Sequence, residues 1–233
     1  MQTRTVTIAI PTYDNKDGGK ENLNHLLESI ERQDYPKNLI DVVISDHSTS
    51  NVIEKLCDKF SKTLNISYYR NEKDRGYWGS NLNNAIKNSK GSIIKPMLQD
   101  DYFFHDSFID IIVSTYEENN FKWAMCEGIH TQDYYYFYNN VIPRYTEDIH
   151  KGNNKLGGPS GLILYNCKGL PMFEKLNWMG DCDYYKRCFQ IYGEPTIINS
   201  ACVVYKQWAG QMTHTLTAKQ KQLEVDYVNA KYE

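Results

Sequence analysis

Two adjacent carboxylates, Asp100 and Asp101, directly follow an apolar stretch of the chain. Neighbouring carboxylates repel each other, and a bound cation relieves that repulsion. A hard divalent ion held in this way can also bind a diphosphate. The alternative is a solvated turn in which Asp101 or Asp106 caps the next helix. The position at the end of an apolar strand favours the metal site.

Two further acidic segments could carry chemistry. Asp46, in the segment SDHST at residues 45–49, follows another apolar stretch. It could accept a hydrogen bond from a ribose hydroxyl or a base N–H, or equally cap a helix near Asn51. Asp181 and Asp183 stand at a predicted helix entrance, where a carboxylate usually only caps. A general base for a hydroxyl nucleophile is the other possibility. His214 lies in a polar segment and becomes a ligand only if it meets Asp100 and Asp101.

These residues need a scaffold, and the pattern of the first half of the chain predicts one. Apolar strands at 6–10, 41–45, 66–70 and 92–98 alternate with helical spacing around 23–30, 52–60, 82–86 and 109–116. We expect the third of these helices to end at Gly91. This order predicts an α/β protein with a parallel sheet and helices on both faces. Ligands bind at the carboxyl ends of such strands, which here are residues 11–14, 46–50, 71–79 and 99–102.

The second half is less regular. We predict strands at 123–127, 161–165 and 202–205, a long loop at 139–159, and helices at 183–192 and 218–227. The aromatic run at 134–138 favours a half-buried strand over a wall for stacking on sugars. No linker divides the chain, so a single domain over residues 1–233 is expected.

Composition excludes several classes. A net charge of −3 over 233 residues gives no indication of nucleic-acid binding. No apolar run approaches the roughly 20 residues of a membrane span, and no signal peptide is evident. We therefore expect a cytoplasmic protein without an integral membrane segment, with peripheral attachment left open. The 6 cysteines form no CxxC pair, which favours reduced, mostly buried thiols.

Six segments in a fixed order resemble glycosyltransferase family 2, which has the GT-A fold. They are IPTY at 10–13, the helix and exit at 27–36, ISDHST at 44–49, LQDD at 98–101, GDCDYYKR at 180–187 and YK at 205–206. The resemblance spans about residues 6–213. It implies a Rossmann-like, mostly parallel sheet with helices on both faces and a smaller acceptor-side region. Residues 1–120 would form the nucleotide-sugar half. Residues 121–233 would form the acceptor and catalytic half, ending in a helical tail.

The resemblance also implies a reaction. A sugar would pass with inversion from a nucleotide sugar, expected to be a UDP-sugar, to a hydroxyl of a glycan or glycoconjugate. Asp181 would be the catalytic base, and Mn²⁺ or Mg²⁺ would bind Asp101 with Asp100 beside it. Arg75 and Trp78 would lie near the phosphates or the sugar, with loop packing as the alternative. The other implied donor-binding residues are Pro11, Thr12, Tyr13, Asp46, Gly158, Pro159 and Ser160.

Departures from the family pattern keep alternatives open. Gly180 replaces the acidic partner of Asp181, so Asp183 remains a second candidate base. Trp208 stands where a late family histidine aligns, so His214 is the candidate third metal ligand. Leu98 stands where the metal motif usually begins, and the departures at Leu98 and Gly180 also motivate a catalytically silent nucleotide-sugar-binding module. A nucleotidyltransferase is the third hypothesis, although residues 11–14 read PTYD rather than a glycine-rich basic loop.

Overall fold

The structure is a computed structural model that describes residues 4–14 and 18–233. The predicted chain start at Met1–Thr3 lies outside these residues. Nine strands within the described chain form one sheet in the order β3-β2-β1-β4-β8-β6-β9-β5, with β7 paired to β6. The strands are β1 (Val6–Thr12), β2 (Ile40–Asp46), β3 (Asn65–Arg70), β4 (Ile93–Pro96), β5 (Tyr102–Phe103), β6 (Trp123–Thr131), β7 (Phe137–Val141), β8 (Leu162–Tyr165) and β9 (Thr196–Lys206).

The first half of the sheet is parallel, as predicted. β1 pairs in parallel with β2 and β4, and β2 pairs in parallel with β3. β8 then runs antiparallel to both β4 and β6, whereas β6 and β9 are parallel. The α/β class and the parallel sheet of the first half are confirmed, and every antiparallel pair includes a strand from the second half.

The helices cover both faces of the sheet because alternate strand residues point to opposite sides. Ile8 and Ile10 of β1 belong to the apolar cluster beneath the first, second and fourth helices. Ala9 belongs to the opposite cluster, which the third, fifth and seventh helices cover. The helices are α1 (Gly19–Glu31), α2 (Val52–Phe60), α3 (Trp78–Lys87), α4 (Phe108–Asn119), α5 (Gly180–Tyr192), α6 (Met212–Thr215) and α7 (Ala218–Tyr232). None of these helices combines the length and apolar character that a bilayer crossing needs.

Two predictions of where an element ends are wrong. β1 continues through Pro11. The carbonyl of Ala9 accepts from the N–H of Met97, just after β4, and the carbonyl of Thr12 accepts from the N–H of His47, just after β2. The Pro11 nitrogen therefore faces the side on which β4 has already ended, where no N–H is required. α3 ends at Lys87, and Gly91 serves close packing instead: a Cβ there would lie 2.6 Å from the backbone nitrogen of Thr7.

The aromatic run at 134–138 is mainly a turn rather than a strand. Tyr134 has a left-handed φ of 70°, and Tyr135 is 89% exposed. Only its last two residues, 137 and 138, enter β7. The predicted long loop at 139–159 is correspondingly interrupted by β7 and by a short 3₁₀ turn at Ile149–Lys151.

Candidate active site

A cleft of about 990 Å³ opens at the carboxyl ends of the parallel strands, where the strand order predicts a ligand site. It is framed by the ends of β1 and β4, the start of α5 and the end of β9. Most of the sequence-predicted residues meet there, and four do not line it: Asp46, Asp183, Ser160 and His214. The predicted residues that line the cleft are Pro11, Thr12, Tyr13, Arg75, Trp78, Asp100, Asp101, Gly158, Pro159 and Asp181.

The carboxylate pair lies in the wall of this cleft. Asp101 is 3% exposed and accepts a hydrogen bond from the backbone N–H of Lys206 at 3.2 Å. Burial raises the pKa of Asp100, and burial together with the charge of Asp100 raises the pKa of Asp101. Oδ2 of Asp100 accepts from Trp208 Nε1 at 2.8 Å and from Gln211 Nε2 at 3.2 Å. The pair is therefore a buried, mutually repelling site that favours a cation or a proton.

The donor set at this pair fits a divalent ion only in part. His214 lies exposed on α6, outside the cleft, so the structure gives no support to this residue as a third ligand. No group of three or more His, Cys, Asp or Glu side chains comes together as a metal site among residues 4–14 and 18–233. Mg²⁺ is commonly held by one or two carboxylates together with substrate phosphates and water. Asp100 and Asp101 fit that arrangement, in which a bound diphosphate supplies the remaining ligands.

Asp46 lies beneath the cleft rather than in its wall. Its carboxylate is fully buried. Oδ1 accepts from the N–H of Ser48 at 2.9 Å and from the Thr12 hydroxyl at 3.2 Å. Oδ2 accepts from the Tyr68 hydroxyl at 2.7 Å and is 3.0 Å from Nη1 of Arg70. The predicted contact of Asp46 with a ribose or base is not supported by this placement; the side chain ties together the ends of β1, β2 and β3.

The cleft also includes residues to which sequence reasoning gave no individual role, among them His47, Thr49 and Gln99. His47 and Thr49 line the cleft beside Asp46, and burial lowers the pKa of His47, which favours the neutral imidazole at pH 7. Gln99 joins two loops: its Oε1 accepts from the N–H of Tyr13 at 2.6 Å, and its Nε2 donates to the Tyr13 carbonyl at 2.9 Å. Its position next to the carboxylate pair was the available signal.

Asp181 is the second residue of α5 and faces the cleft. Its Oδ1 accepts from the N–H of Cys182 at 2.8 Å, and its Oδ2 accepts from Asn154 Nδ2 at 2.8 Å. Burial raises the pKa of Asp181 above the usual carboxyl range, and these hydrogen bonds offset only part of that effect. A raised pKa and an oriented carboxylate are what a general base requires.

Asp183 occupies a different environment. Its side chain is 0% exposed and lies outside the cleft. Oδ2 pairs with Arg187 at 2.7 Å, whereas Oδ1 pairs with Lys231 at 2.6 Å and accepts from the Tyr232 hydroxyl at 2.8 Å. Asp183 lies outside the cleft and is paired with two cations, so the geometry speaks against Asp183 as the base. It anchors α7 to α5.

The ring of Tyr205 forms part of the cleft floor and packs closely against glycines. A Cβ at Gly128 would lie 2.3 Å from the ring of Tyr205, and one at Gly161 would lie 2.7 Å from its hydroxyl. Gly158 approaches the same ring, at 3.4 Å from a built Cβ. Behind this floor the Ser160 hydroxyl accepts from the N–H of Leu98 at 2.8 Å. Ser160 therefore fixes the backbone just before the carboxylate pair and does not line the cleft.

Gly180 has a packing explanation. Trp78, at the start of α3, donates from Nε1 to the carbonyl of Asn177 at 3.2 Å and lines the cleft. A Cβ on residue 180 would lie 2.9 Å from Cζ2 of this indole. The ring of Trp78 thus fills the space that a side chain at position 180 needs.

We expect Gly180→Ala to destabilise the fold by about 1–3 kcal/mol, the usual cost of overpacking. The same substitution in a Trp78→Leu background should cost less, because the clashing ring is gone. Chemical denaturation of the four proteins in this double-mutant cycle measures the coupling. Purely additive effects would contradict the assigned contact.

Comparisons with known proteins show which sequences and folds the chain resembles. The model of a family described as Glycosyl transferase family 2 matches residues 7–175. An uncharacterized glycosyltransferase of Mycoplasma genitalium, MG025, is 36% identical over 104 residues, which are 44% of this chain and 33% of that protein. The poly(ribitol-phosphate) beta-N-acetylglucosaminyltransferase TarS of Staphylococcus aureus is 26% identical over 104 residues, which are 45% of this chain and 18% of TarS. The chain therefore spans only a third or less of these relatives.

Solved structures show the same fold. A crystal structure of S. aureus TarS residues 1–349 in complex with UDP-GlcNAc superimposes with a TM-score of 0.79, at 16% identity, over 97% of this chain and 66% of that one. The mannosyltransferase PcManGT of Pyrobaculum calidifontis, in complex with GDP-Man and Mn²⁺, gives a TM-score of 0.67 at 15% identity, over 100% of this chain and 66% of that one. The predicted GT-A fold is confirmed.

Proposed function

The chain belongs to glycosyl transferase family 2, and on this premise we propose that it transfers a sugar from a UDP-sugar to a hydroxyl acceptor with inversion. One observation carries the proposal. A single cleft contains a paired carboxylate, Asp100 and Asp101, and a separate carboxylate, Asp181, whose pKa is raised by burial. The first provides a place for a diphosphate with its cation, and the second provides a base for the incoming hydroxyl.

The donor is assigned to the half of the cleft built by residues up to about 120. Pro11, Thr12 and Tyr13 line it at the end of β1, and His47 and Thr49 line it at the end of β2. The base and ribose are placed against these residues. A UDP carrier is supported by the TarS crystal structure with UDP-GlcNAc, a protein of the same fold.

The diphosphate is assigned to the neighbourhood of the carboxylate pair. Asp101, with Asp100 beside it, would hold Mn²⁺ or Mg²⁺ there. A divalent ion at this place would neutralise charge that develops on the departing diphosphate. Arg75 is an exposed cation on the cleft rim, 3.6 Å from Glu72 and 3.5 Å from the Ser48 carbonyl to which it donates. Turning toward the phosphates would break only these two long contacts, and an exposed ion pair contributes little.

The acceptor is assigned to the half of the cleft formed by residues 121–233. Asp181 would remove the proton of the acceptor hydroxyl, and Asn154 would hold its Oδ2 in place. Attack by that oxygen on the anomeric carbon from the side opposite the diphosphate inverts the configuration. The acceptor class that fits a family 2 transferase is a glycan or glycoconjugate.

The other two hypotheses have less support. A silent binding module would need no general base beside the donor site. Here the carboxylate of Asp181 lines the same cleft as the proposed diphosphate site. A nucleotidyltransferase requires phosphate-binding groups after β1. That segment instead presents Pro11, Thr12 and the exposed ring of Tyr13.

We expect UDP-sugars with Mn²⁺ to raise the thermal unfolding midpoint of the protein. Binding to the folded state alone stabilises it by about 2.7 kcal/mol at a hundred times Kd. A screen of UDP-, dTDP- and GDP-sugars, each with and without Mn²⁺, followed by measurement of nucleoside diphosphate release, tests the proposal. Stabilisation without release would favour the silent module, and pyrophosphate release from a nucleoside triphosphate would favour the nucleotidyltransferase. No response to any donor would contradict the proposed function.

A further inference from the structure

The backbone just before Asp181 converges on a carboxylate from the C-terminal helix. Oε2 of Glu224 in α7 accepts from the N–H groups of Trp178 at 2.7 Å, Met179 at 2.9 Å and Asn177 at 3.1 Å. Oε1 accepts from the N–H of Asn177 at 3.0 Å. Three successive N–H groups thus share one carboxylate, next to the positive end of α5.

The same loop is held from the opposite side by the cleft wall. The carbonyl of Asn177 accepts from Nε1 of Trp78, and Asn177, Trp178 and Met179 all line the cleft. Residues 177–179 therefore lie between the ring of Trp78 and the carboxylate of Glu224. α5 begins at the next residue, with Asp181 in its first turn.

A second contact from α7 reaches the chain just after Asp181. Nζ of Lys231 lies 2.6 Å from Oδ1 of the buried Asp183, and the hydroxyl of Tyr232 donates to the same oxygen at 2.8 Å. α7 therefore contacts the chain on both sides of Asp181. α7 itself is held by apolar packing, since Val228 is fully buried in the cluster that covers this face of the sheet.

We propose that Glu224 is a positioning residue for Asp181, acting through residues 177–179; the inference rests on the proposed function. A charged acceptor satisfies three N–H groups that would otherwise lack partners, and such bonds are stronger than neutral ones. Without it the loop can shift, and Asp181 shifts with the start of α5. Misplacement of a catalytic group by about 1 Å can cost on the order of 10²-fold in rate.

α5 and α7 both lie beyond residues 7–175, which match the family model. The contacts between Glu224 and residues 177–179 therefore lie in the part of the chain that the family model does not cover.

The test compares Glu224→Gln and Glu224→Ala with Asp226→Asn. Asp226 is an exposed acid on the same helix, and its carboxylate accepts from Nε2 of Gln222 at 2.8 Å. Hydrogen exchange of the backbone amides at 177–179 is measured by mass spectrometry, together with donor affinity and the rate of nucleoside diphosphate release. For Glu224→Ala we expect faster exchange at these amides, kcat lowered roughly 10- to 100-fold, and unchanged donor affinity. Glu224→Gln, which keeps one acceptor oxygen, should show a smaller loss. Asp226→Asn should behave as wild type.

The two hypotheses fail in different ways. Unchanged exchange at 177–179 in Glu224→Ala overturns the inference, as does faster exchange with wild-type kcat. A parallel loss of donor affinity and of the unfolding midpoint also overturns it, since that pattern signals a general structural role. If the wild-type protein releases no nucleoside diphosphate from any donor, the proposed function fails, and the positioning role fails with it while the exchange data still report on the contact itself.

Discussion

Asp181→Asn is expected to lower kcat by roughly 10²- to 10⁴-fold, the range for loss of a general base, with donor affinity unchanged. Asparagine keeps the shape of the side chain but cannot take a proton at neutral pH. Its single carbonyl can serve only one of the two present donors, the N–H of Cys182 or the amide of Asn154. We therefore also expect a small loss of stability, of about 1 kcal/mol.

The measurement is nucleoside diphosphate release at saturating donor, with donor affinity followed separately by calorimetry. Asp58→Asn, an exposed carboxylate on α2, is the matched control and should leave both quantities unchanged. A variant at Asp181 that retains wild-type kcat would remove the base from the proposed mechanism. A variant that loses donor affinity as well would place Asp181 in donor binding instead.

The pH profile of the wild-type enzyme gives an independent check. A base must be deprotonated to act, so kcat should rise with pH through the pKa of Asp181. Because burial raises that pKa, the acid limb should lie above the ordinary carboxyl value of 3.8. The limb should disappear in Asp181→Asn. A limb at the ordinary value would show that the carboxylate is better solvated than its position indicates.

The regular part of this fold could be predicted because its signals are local. α2 begins and ends where the apolar spacing of Ile53, Leu56 and Phe60 indicates, since one helix face alone determines that pattern. The carboxylate pair could be predicted for the same reason, because it follows directly on a buried strand. Strand β5, by contrast, is two residues long and exists through its pairing with β9, about a hundred positions away. No local pattern encodes such a contact.

The partners of each carboxylate at the site could not be predicted from the sequence. Asp46 and Asp181 are both carboxylates near the cleft edge of the fold, and the family resemblance implied donor binding for Asp46 and a base role for Asp181. The structure separates them by their partners: Asp46 accepts from Tyr68 and Arg70, which are 22 and 24 positions further along the chain, and is fully buried. Glu224 illustrates the opposite case, an unremarked surface-type residue whose role depends on a loop 45 positions earlier. Burial and hydrogen-bond partners distinguish these side chains, and both are tertiary properties.

Asp101→Asn is expected to have opposite effects on the free and the loaded protein. The pKa of Asp101 is raised in the folded state, so the folded protein binds this proton more tightly than the unfolded chain does. Stability must then fall as pH rises from the ordinary carboxyl value through the raised one. Asparagine, which stays neutral, escapes this loss. At neutral pH and without metal the variant should therefore unfold at a higher temperature than wild type.

With Mn²⁺ and a UDP-sugar the order should reverse. Wild type should gain stability from the bound ligands, whereas the variant lacks the carboxylate that would hold the cation and should gain much less. Turnover should fall by roughly 10²- to 10³-fold, the equivalent of several kcal/mol of transition-state stabilisation. Asp106→Asn, an exposed carboxylate paired only loosely with Arg32 at 3.4 Å, is the control in which both effects should be absent. An Asp101→Asn protein that responds to Mn²⁺ as wild type does would place the cation elsewhere. If the variant is less stable without metal, attraction to the buried ammonium of Lys95 outweighs the repulsion from Asp100, and the site does not need a cation to fold.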